Sequence, residues 1–355
     1  MPESPRRRPT IRDVASHAGV SKSLVSLVLS DPDRVSSERR GKVERSIREL
    51  GYQPNLAARS LASEHPRAIG MVLGELHNPW VLEVAEVVRG ELQEAGFDVL
   101  FSAAPAHGGR GVGPSAFKAL RDLGVGGFVV AGTVDEGPGF ESALDGTQAV
   151  FIGSGRPAQG SIGVVDVDDE QGVCTVVAHL VAGGYSRITH VTGGPGPVSH
   201  GREAAYHRAM RSHGLQALAR VVEAGPTVEA GRTSVARLLS QGPVPEALVC
   251  FNDLTAFGAL QALDEASRCA AVTGYDNIAL SALSRISLTS VDPSSGELGR
   301  RGAQLLLRML RAPHGKFSRR VLVPPELVVR GSSRSDTAAK APGALEKGAS
   351  TRNLS

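Results

Sequence analysis

The hydrophobic positions between Thr10 and Leu29 recur at the spacing of two short helices separated by a turn at Gly19. In each segment the apolar side chains lie three and four positions apart, which places them on one face of a helix. Thr10 and Asp13 have the spacing of a capping box, and Ser21 is a typical N-terminal cap for the second helix. The pattern therefore predicts a helix, a tight turn and a second helix.

A third predicted helix, roughly Ser37–Leu50, offers the apolar wall that two short helices lack. Val43, Ile47 and Leu50 recur at helical spacing, and Gly51 has the position of a C-terminal cap. Three such helices are expected to bury their apolar faces against one another. A helix-turn-helix bundle of this kind presents its second helix to the major groove of DNA.

Short apolar runs alternate with longer amphipathic segments from Ala68 onward. Strands that alternate with helices are typical of parallel sheets covered on both faces, and there are too many runs for one small sheet. We therefore expect two α/β layers. The predicted strands span 68–74, 97–103, 127–131, 149–153, 163–167, 188–193, 248–251, 270–274 and 288–291. The predicted helices span 80–95, 170–182, 203–213, 229–240, 254–266 and 296–311.

Positive charge is concentrated at the N-terminal end of the chain. The residues up to Leu61 include twelve Lys and Arg and seven Asp and Glu, a net charge of +5, whereas the whole chain carries +3. The arginines at 6–8 are expected to trail along DNA phosphates as a flexible arm. Five basic side chains of the third helix either form an ordinary solvated face or also meet phosphates. They are Arg39, Arg40, Lys42, Arg45 and Arg48.

The sequence also argues against several other classes of protein. The three cysteines are scattered without a CxxC pair, which favours buried thiols in a reducing cytoplasm. The N-terminal segment lacks the apolar core of a secretion signal, and no stretch approaches the roughly 18 apolar residues of a membrane helix. The glycine-rich segment 193–196 lacks the lysine of a phosphate loop, and no GxSxG, HExxH or paired Cys/His motif occurs. We therefore expect a cytoplasmic protein with no membrane partner, no metal or cofactor and no enzymatic activity.

The N-terminal motifs resemble those of the lactose-repressor family of bacterial transcription regulators. The matching segments are TIRDVAxxAGVS at 10–21, Val25-Ser26, Val28-Leu29, DPDRVS at 31–36, GYQPN at 51–55 and ARSL at 58–61. The resemblance continues to about Gly331 and so covers more than nine tenths of the chain.

The resemblance implies a small all-α helix-turn-helix head joined by a hinge helix to a two-lobed, periplasmic-binding-protein-like α/β effector domain. The head with its basic arm is expected at 1–55, the hinge helix and linker at 56–66 and the effector-binding and dimerisation domain at 67–331. The segment 332–355 has no periodicity and is expected to be a disordered tail. The chain is expected to cross between the lobes near Val164, Thr289 and Arg320.

The resemblance also implies a homodimeric repressor that reads a pseudo-palindromic operator in double-stranded DNA. The family usually has Thr and Arg where this chain has Leu24 and Leu27, so the base contacts are expected to differ. Leu61 matches the hinge leucine that wedges into the minor groove. The predicted DNA-contacting residues are Thr10, Ser21, Lys22, Ser23, Ser26, Leu27, Arg34, Asn55, Ala58 and Leu61.

Polar residues follow several predicted strands, where ligands bind in open α/β sheets. Such an array suits a small polar effector with many hydroxyl groups, a sugar or sugar derivative, because amides, carboxylates and Arg pair with vicinal hydroxyls. In the resembling family, positions matching Arg202, Asn252 and Asp276 contact the effector, and the position matching Trp80 provides an aromatic wall. The predicted effector-binding residues are Asn78, Trp80, Arg202, Asn252 and Asp276.

Each of these residues also has a purely structural interpretation. An Asn or Asp after a strand is often a helix cap, and Asp253 fits that role because a predicted helix begins at Leu254. Arg202 can pair with a neighbouring carboxylate, and Trp80 can belong to the core. Two other classes of protein also stay open, a small-molecule binding module of the periplasmic type and an enzyme such as a sugar kinase or dehydrogenase.

Overall fold

The structure is a computed structural model that describes residues 9–30, 32–52, 68–103, 113–133, 139–144 and 146–334. The chain divides into two compact units, Met1–Arg67 and Ala68–Ser355. The N-terminal arm and the predicted hinge, with Asn55, Ala58 and Leu61, lie outside the described residues. Within the described part, every helix is too short or too polar to cross a lipid bilayer.

The first unit is the predicted helical head. Its helices are α1 (Ile11–Ala18), α2 (Lys22–Ser30) and α3 (Ser37–Leu50), with a 3-10 turn at Pro32–Arg34. The capping box is present, because Asp13 N–H donates to Thr10 Oγ1 at 3.4 Å and Thr10 N–H donates to Asp13 Oδ2 at 2.7 Å. Gly19 and Gly51 take the left-handed conformation and end α1 and α3.

The core of the head is built from one fully buried valine of each helix, Val14, Val25 and Val43. Ile47, Leu50 and Leu24 pack around these three side chains, as their helical spacing predicts. The helix-turn-helix prediction is therefore confirmed at the level of individual caps and core positions.

The second unit contains two lobes, each with a six-stranded sheet. The sheet of the first lobe has the order β11-β5-β4-β3-β1-β2 and is parallel throughout. Its strands are β1 (Ala68–Leu73), β2 (Asp98–Ala103), β3 (Gly127–Ala131), β4 (Ala149–Ile152), β5 (Ile162–Val167) and β11 (Arg320–Val323). Its helices are α4 (Pro79–Glu94), α5 (Pro114–Asp122), α6 (Phe140–Leu144) and α11 (Ser295–Arg311).

The sheet of the second lobe has the order β12-β10-β9-β8-β6-β7, with only β12 antiparallel to its neighbour. Its strands are β6 (Ile188–Val191), β7 (Arg220–Val222), β8 (Ala247–Cys250), β9 (Ala271–Tyr275), β10 (Thr289–Asp292) and β12 (Glu326–Val328). Its helices are α7 (Asp169–Ala182), α8 (Pro197–Ser212), α9 (Val228–Gln241) and α10 (Asp253–Glu265).

The chain passes between the lobes three times, after β5, after β10 and after β11. These passages follow Val167, Asp292 and Val323, three residues later than the positions predicted in each case. The predicted positions lie inside strands, because β5, β10 and β11 run to the edges of their lobes before the chain leaves.

Several elements were not predicted from the apolar pattern. The strands β7, β11 and β12 are three or four residues long and mostly half-exposed, so they lack the continuous apolar run of a central strand. The helices α5 and α6 were also missed, and α8 begins at Pro197 rather than near Glu203. Proline is favourable in the first turn of a helix, and here it extends α8 by almost two turns.

The ordered fold continues past the predicted start of the tail at Ser332. Ser332 Oγ donates to the carbonyl of Val272 at 2.6 Å and accepts from Thr289 N–H at 2.8 Å. Ser333 Oγ lies 2.7 Å from Thr289 Oγ1. The predicted tail boundary is therefore wrong by at least the three residues 332–334, which include Ser332 and Ser333 bonded to β9 and β10 of the second sheet.

Candidate functional site

The N-terminal end of α2 carries the exposed polar side chains that were predicted to contact DNA. Lys22, Ser23 and Ser26 are exposed, and Ser21 Oγ accepts the N–H of Leu24 at 3.2 Å as a cap. Lys22 occupies the first position of α2, where the helix dipole disfavours a positive charge.

The other predicted DNA contacts of the head have mixed environments. Leu27 is half-buried against the head core, and Arg34 is exposed in the 3-10 turn. Thr10 is half-buried, and its hydroxyl donates to Asp13 Oδ2 at 2.8 Å, so its main visible role is the capping box.

The basic face of α3 is partly neutralised by its own helix. Lys42 pairs with Glu38 at 2.8 Å, and Arg40 lies 3.9 Å from Glu44. The remaining three basic side chains are exposed, and none forms an ion pair with a carboxylate of the described residues. They are Arg39, Arg45 and Arg48.

A cleft between the two lobes of the second unit collects most of the predicted effector residues. From the first lobe it is lined by Glu75, Asn78, Trp80 and Asp166, and from the second lobe by Asp169, Arg202 and Asp276. This space is the interlobe cleft. Asn78 and Asp276 follow the carboxyl ends of β1 and β9, which is where parallel sheets of this type bind ligands.

A hydrogen bond across the interlobe cleft joins its two walls. Asn78 Oδ1 accepts the N–H of Trp80 and so caps α4, while Asn78 Nδ2 donates to Asp276 Oδ2 at 2.9 Å. Both side chains are buried. The helix cap therefore orients an amide that bridges the lobes, and Asn78 combines its role as a cap with a place in the lining of the cleft.

Trp80 belongs both to the first-lobe core and to the wall of the interlobe cleft. Its ring lies against Gly153, which has a left-handed φ of 67° and where a Cβ would overlap the indole. Its Nε1 is buried and has no hydrogen-bond partner among the described residues. Trp80 is therefore a core residue, as one interpretation of the sequence had it, and its contact with an effector stays a prediction.

Arg202 is the only basic side chain among the described residues that line the interlobe cleft. It is the sixth residue of α8, which begins earlier than the helix predicted at 203–213. Its Nε donates to Asp169 Oδ1 at 2.8 Å, its Nη1 donates to the carbonyl of Phe251 at 2.6 Å, and it stacks 3.5 Å above the ring of Tyr275. Burial lowers the pKa of Arg202, but Asp169, Tyr275 and Asp276 raise it by more, so the guanidinium stays charged.

Asp276 lies in a strained and buried position. Its φ of 103° is in the region that favours glycine, so the backbone stores some strain at this point. Burial raises the pKa of Asp276 to about 8, against the lowering effect of Arg202. A carboxyl group poised in this way can donate or accept a hydrogen bond near neutral pH.

Three carboxylates of the interlobe cleft were missed at the sequence level, Glu75, Asp166 and Asp169. Asp169 opens α7 and holds Arg202, while Asp166 lies in β5 and accepts the N–H groups of Ser154 and Gly155 at 3.0 and 3.3 Å. Burial raises the pKa of Asp166 to about 6. A charged residue inside the otherwise apolar run 162–167 was the signal that could have identified Asp166.

Asn252 does not have the predicted effector-binding environment. It is the N-cap of α10, where its Oδ1 accepts from both the N–H and the hydroxyl of Thr255 at 2.8 Å. Its Nδ2 donates to the carbonyl of Pro226 at 3.2 Å. These internal bonds occupy both ends of the amide, and Asn252 is absent from the described lining of the interlobe cleft.

Asp253 is not the helix cap that was predicted, since Asn252 takes that position. Its fully buried carboxylate accepts from the N–H of Ile278 at 2.9 Å and from the hydroxyls of Ser281 and Ser290 at 2.6 and 2.5 Å. Asp253 therefore ties α10 to β10 and to the segment that follows Asp276, and it positions the cleft from behind.

Comparison with known proteins agrees with both units. Residues 10–55 match the family described as bacterial regulatory proteins, lacI family. Residues 177–333 match the periplasmic binding protein-like domain.

Whole-chain relatives show the same arrangement. The HTH-type transcriptional regulator AscG of Escherichia coli strain K12 is 31% identical over 79% of this chain and 86% of its own. The lactose operon repressor of the same strain is 28% identical over 95% of this chain and 94% of its own. A crystal structure of the lac repressor dimer bound to operator and the anti-inducer ONPF is 27% identical, with a TM-score of 0.77 over 92% of this chain and all of that one.

Proposed function

Because the chain belongs to the lacI family of bacterial regulatory proteins, we propose that it represses transcription and that a small polyhydroxylated ligand in the interlobe cleft controls it. The chain is a DNA-binding regulator of transcription with a helix-turn-helix head and a two-lobed α/β domain. Such a protein acts on the chromosome in the cytoplasm. The repressor role, the class of ligand and the residues that contact each partner are the parts proposed here.

The observation that carries the ligand proposal is the polar lining shared by both lobes. Asn78 and Asp276 bond to each other across the interlobe cleft, and Arg202 lies beside them on the second-lobe wall. Amide, carboxyl and guanidinium groups supply the donors and acceptors that vicinal hydroxyls need. A sugar would exchange the bond between Asn78 and Asp276 for bonds of its own to both walls.

Control of DNA binding requires the ligand to favour one arrangement of the lobes over another. A ligand that bonds to both walls does this, because its affinity depends on the distance between them. The lac repressor was solved as a dimer on its operator. We propose that this chain also forms a homodimer and places two copies of α2 on a pseudo-palindromic operator.

Within the head, we propose that the exposed residues at the start of α2 read the operator. Lys22 can donate to guanine N7 and O6, and Leu27 can contact a thymine methyl group. Arg34 and the exposed arginines of α3 would meet phosphates. The relatives are named as regulators of transcription, so we propose binding rather than catalysis as the activity and assign no cofactor.

Gel-shift titration of the full chain against fragments of its own promoter region tests DNA binding. Salt-dependent binding that prefers one fragment over scrambled DNA is the expected result. A panel of sugars is then screened by thermal shift and by the emission of Trp80, the single tryptophan of the chain. At least one sugar should alter both the emission and the operator affinity. Equal affinity for every fragment would overturn the DNA proposal, and sugars without effect on either readout would overturn the ligand proposal.

A further inference from the structure

The interlobe cleft has an excess of acidic side chains. Its described lining contains the carboxyl groups of Glu75, Asp166, Asp169 and Asp276 but only one basic group, Arg202. A neutral sugar requires hydrogen-bond partners but no net charge in its site. The acidic excess therefore bears on the charge of the ligand as well as on its hydroxyl groups.

Arg202 does not balance this excess. It is already paired with Asp169 at 2.8 Å, and a second donor is used by the carbonyl of Phe251 at 2.6 Å. The pair with Asp169 leaves three carboxyl groups of the described lining without a basic partner inside the cleft. The described lining offers a negatively charged ligand no basic group other than Arg202.

Asp166 is the most informative of the three. Its side chain is only 6% exposed, and the structure shows no ion pair between it and any described basic residue. Oδ1 accepts two backbone N–H groups, whereas Oδ2 has no hydrogen-bond partner in the described part of the chain. Asp166 lines the cleft, so a donor group of a ligand can bond to the carboxylate oxygen to which no described protein group donates.

Trp80 gives a second, independent sign of a missing partner. Its Nε1 is buried in the wall of the same cleft, and no acceptor of the described chain reaches it. The cleft thus presents an unused acceptor at Asp166 and an unused donor at Trp80. A ligand that carries both amine and hydroxyl groups would satisfy the two.

We propose that the ligand of the interlobe cleft is a polyhydroxylated compound that carries a protonated amine, such as an amino sugar, with the ammonium group at Asp166. This inference rests on the proposed ligand-binding function of the cleft and adds the charge of the ligand to it. An ammonium group supplies three N–H donors and one positive charge, which matches a carboxylate that only accepts. The hydroxyl groups of the same compound bond to Asn78, Arg202 and Asp276.

The test uses matched sugars with the full chain in calorimetric titrations slightly below neutral pH, where the amines are protonated. Glucosamine, galactosamine and mannosamine are each compared with glucose, galactose and mannose, and with the N-acetyl derivative, which has lost the charge. At least one amine should bind about tenfold tighter or more than its neutral partner, the change expected for one charge-assisted hydrogen bond. Glucose 6-phosphate should not bind.

The variant Asp166→Asn keeps the shape and the acceptor for the two backbone N–H groups but removes the charge. It should bring the amine and its neutral partner to about equal affinity by weakening the binding of the amine. Asp168→Asn is the matched control, because Asp168 caps α7 two residues away and does not belong to the described lining. That variant should keep the preference for the amine.

Three results would overturn the inference. One is a neutral sugar that binds as tightly as its amine and changes operator affinity, which leaves the proposed function intact. Another is an amine preference that survives Asp166→Asn. The third is no binding of any sugar, charged or neutral, together with unchanged operator affinity, which also removes the proposed ligand control.

Discussion

The head and the interlobe cleft place their candidate functional side chains in opposite environments. In the head, Lys22, Ser23 and Ser26 are exposed and lie within one turn or two of a single helix. In the cleft, Arg202 and Asp276 are buried and come from segments far apart along the chain.

In the head, the residues proposed to recognise DNA are therefore not the ones that stabilise the unit. In the cleft, the same residues are proposed to bind the ligand and also stabilise the fold. A substitution on the outer face of α2 removes a contact with a partner and leaves the three-valine core of the head untouched. A substitution in the cleft removes a ligand contact and also leaves buried donors or acceptors without partners. Four predictions follow the contrast from the largest expected effect to the smallest.

The largest effect is expected from Asp253→Ala, behind the cleft. The change leaves the N–H of Ile278 and the hydroxyls of Ser281 and Ser290 without their buried acceptor. The free energy of unfolding should fall by roughly 3–5 kcal/mol, because each buried unsatisfied group costs about 1–3 kcal/mol. Urea denaturation followed by circular dichroism measures the loss.

Asp264→Ala is the control for Asp253→Ala, since Asp264 is exposed on the same helix. It should change the free energy of unfolding by no more than about 0.5 kcal/mol. Equal losses in the two variants would show that the buried hydrogen bonds of Asp253 do not stabilise the second lobe.

Arg202→Ala tests whether the cleft can lose its ligand without loss of DNA binding. The guanidinium lies on the second-lobe wall, so a sugar that binds the wild type should lose roughly 1.5–3 kcal/mol of affinity. Its effect on Trp80 emission should fall accordingly, while operator affinity without ligand stays the same. Arg208→Ala is a suitable control. Arg208 lies on the same helix as Arg202, α8, and pairs with Glu170 of α7 at the surface. Unchanged sugar affinity in Arg202→Ala would remove this residue from the proposed site.

Lys22→Ala is the counterpart in the head. Lys22 lies at the N-terminal end of α2, where a side chain can reach base edges, so the variant should lose about 1–3 kcal/mol of operator affinity. The loss should be confined to the preferred sequence, and the melting temperature should not change, because the side chain is exposed. A gel shift that weakens equally on operator and scrambled DNA would mean that Lys22 contacts a phosphate instead.

The smallest effect is a pH dependence of stability that arises in the cleft. Burial raises the pKa of Asp276 from 3.8 to about 8, while Arg202 and the amide of Asn78 lower it and Asp253 and Glu75 raise it. The folded state therefore holds this proton more tightly than the unfolded state does. The stability from Asp276 is complete below about pH 4 and is lost as the pH rises toward 8.

Asp276→Asn should flatten that decline. Between pH 6 and 8 the wild type should lose up to about 2 kcal/mol of stability more than the variant, as measured by urea denaturation at each pH. The interval lies above the pKa of about 6 of Asp166 and Asp253, so those groups contribute less to it. Parallel curves for the two proteins would show that Asp276 is ionised throughout.

The fold was predictable where a signal is local. The caps Thr10 and Ser21, the turn at Gly19 and the spacing of the head valines lie within one or two helical turns, so the sequence displays them directly. Central strands such as β3 appear in the sequence as short apolar runs because both of their faces are buried. In edge strands such as β7 too few side chains are buried to produce an apolar run.

The cleft was predictable only in outline. The sequence predicted Asn78 and Asp276 after two strands, and the structure places both in the lining of the cleft, because a parallel sheet places the carboxyl ends of its strands at one edge. Asn252 and Asp253 differ from their predicted roles, since Asn252 caps the helix and Asp253 is fully buried. Successive residues at a helix start point in different directions, and only their packing decides the contacts of each.

By itself the sequence determined the three-helix head, the alternation of strands and helices and the family, because each depends on neighbours within one element. The tertiary structure alone decided the partners of the buried charges. Asp169 meets Arg202 from a different helix, and Asp166 lines the cleft from within an apolar strand. Whether a buried carboxylate has a charged partner depends on groups distant in sequence, and only the folded arrangement brings those groups within hydrogen-bond distance.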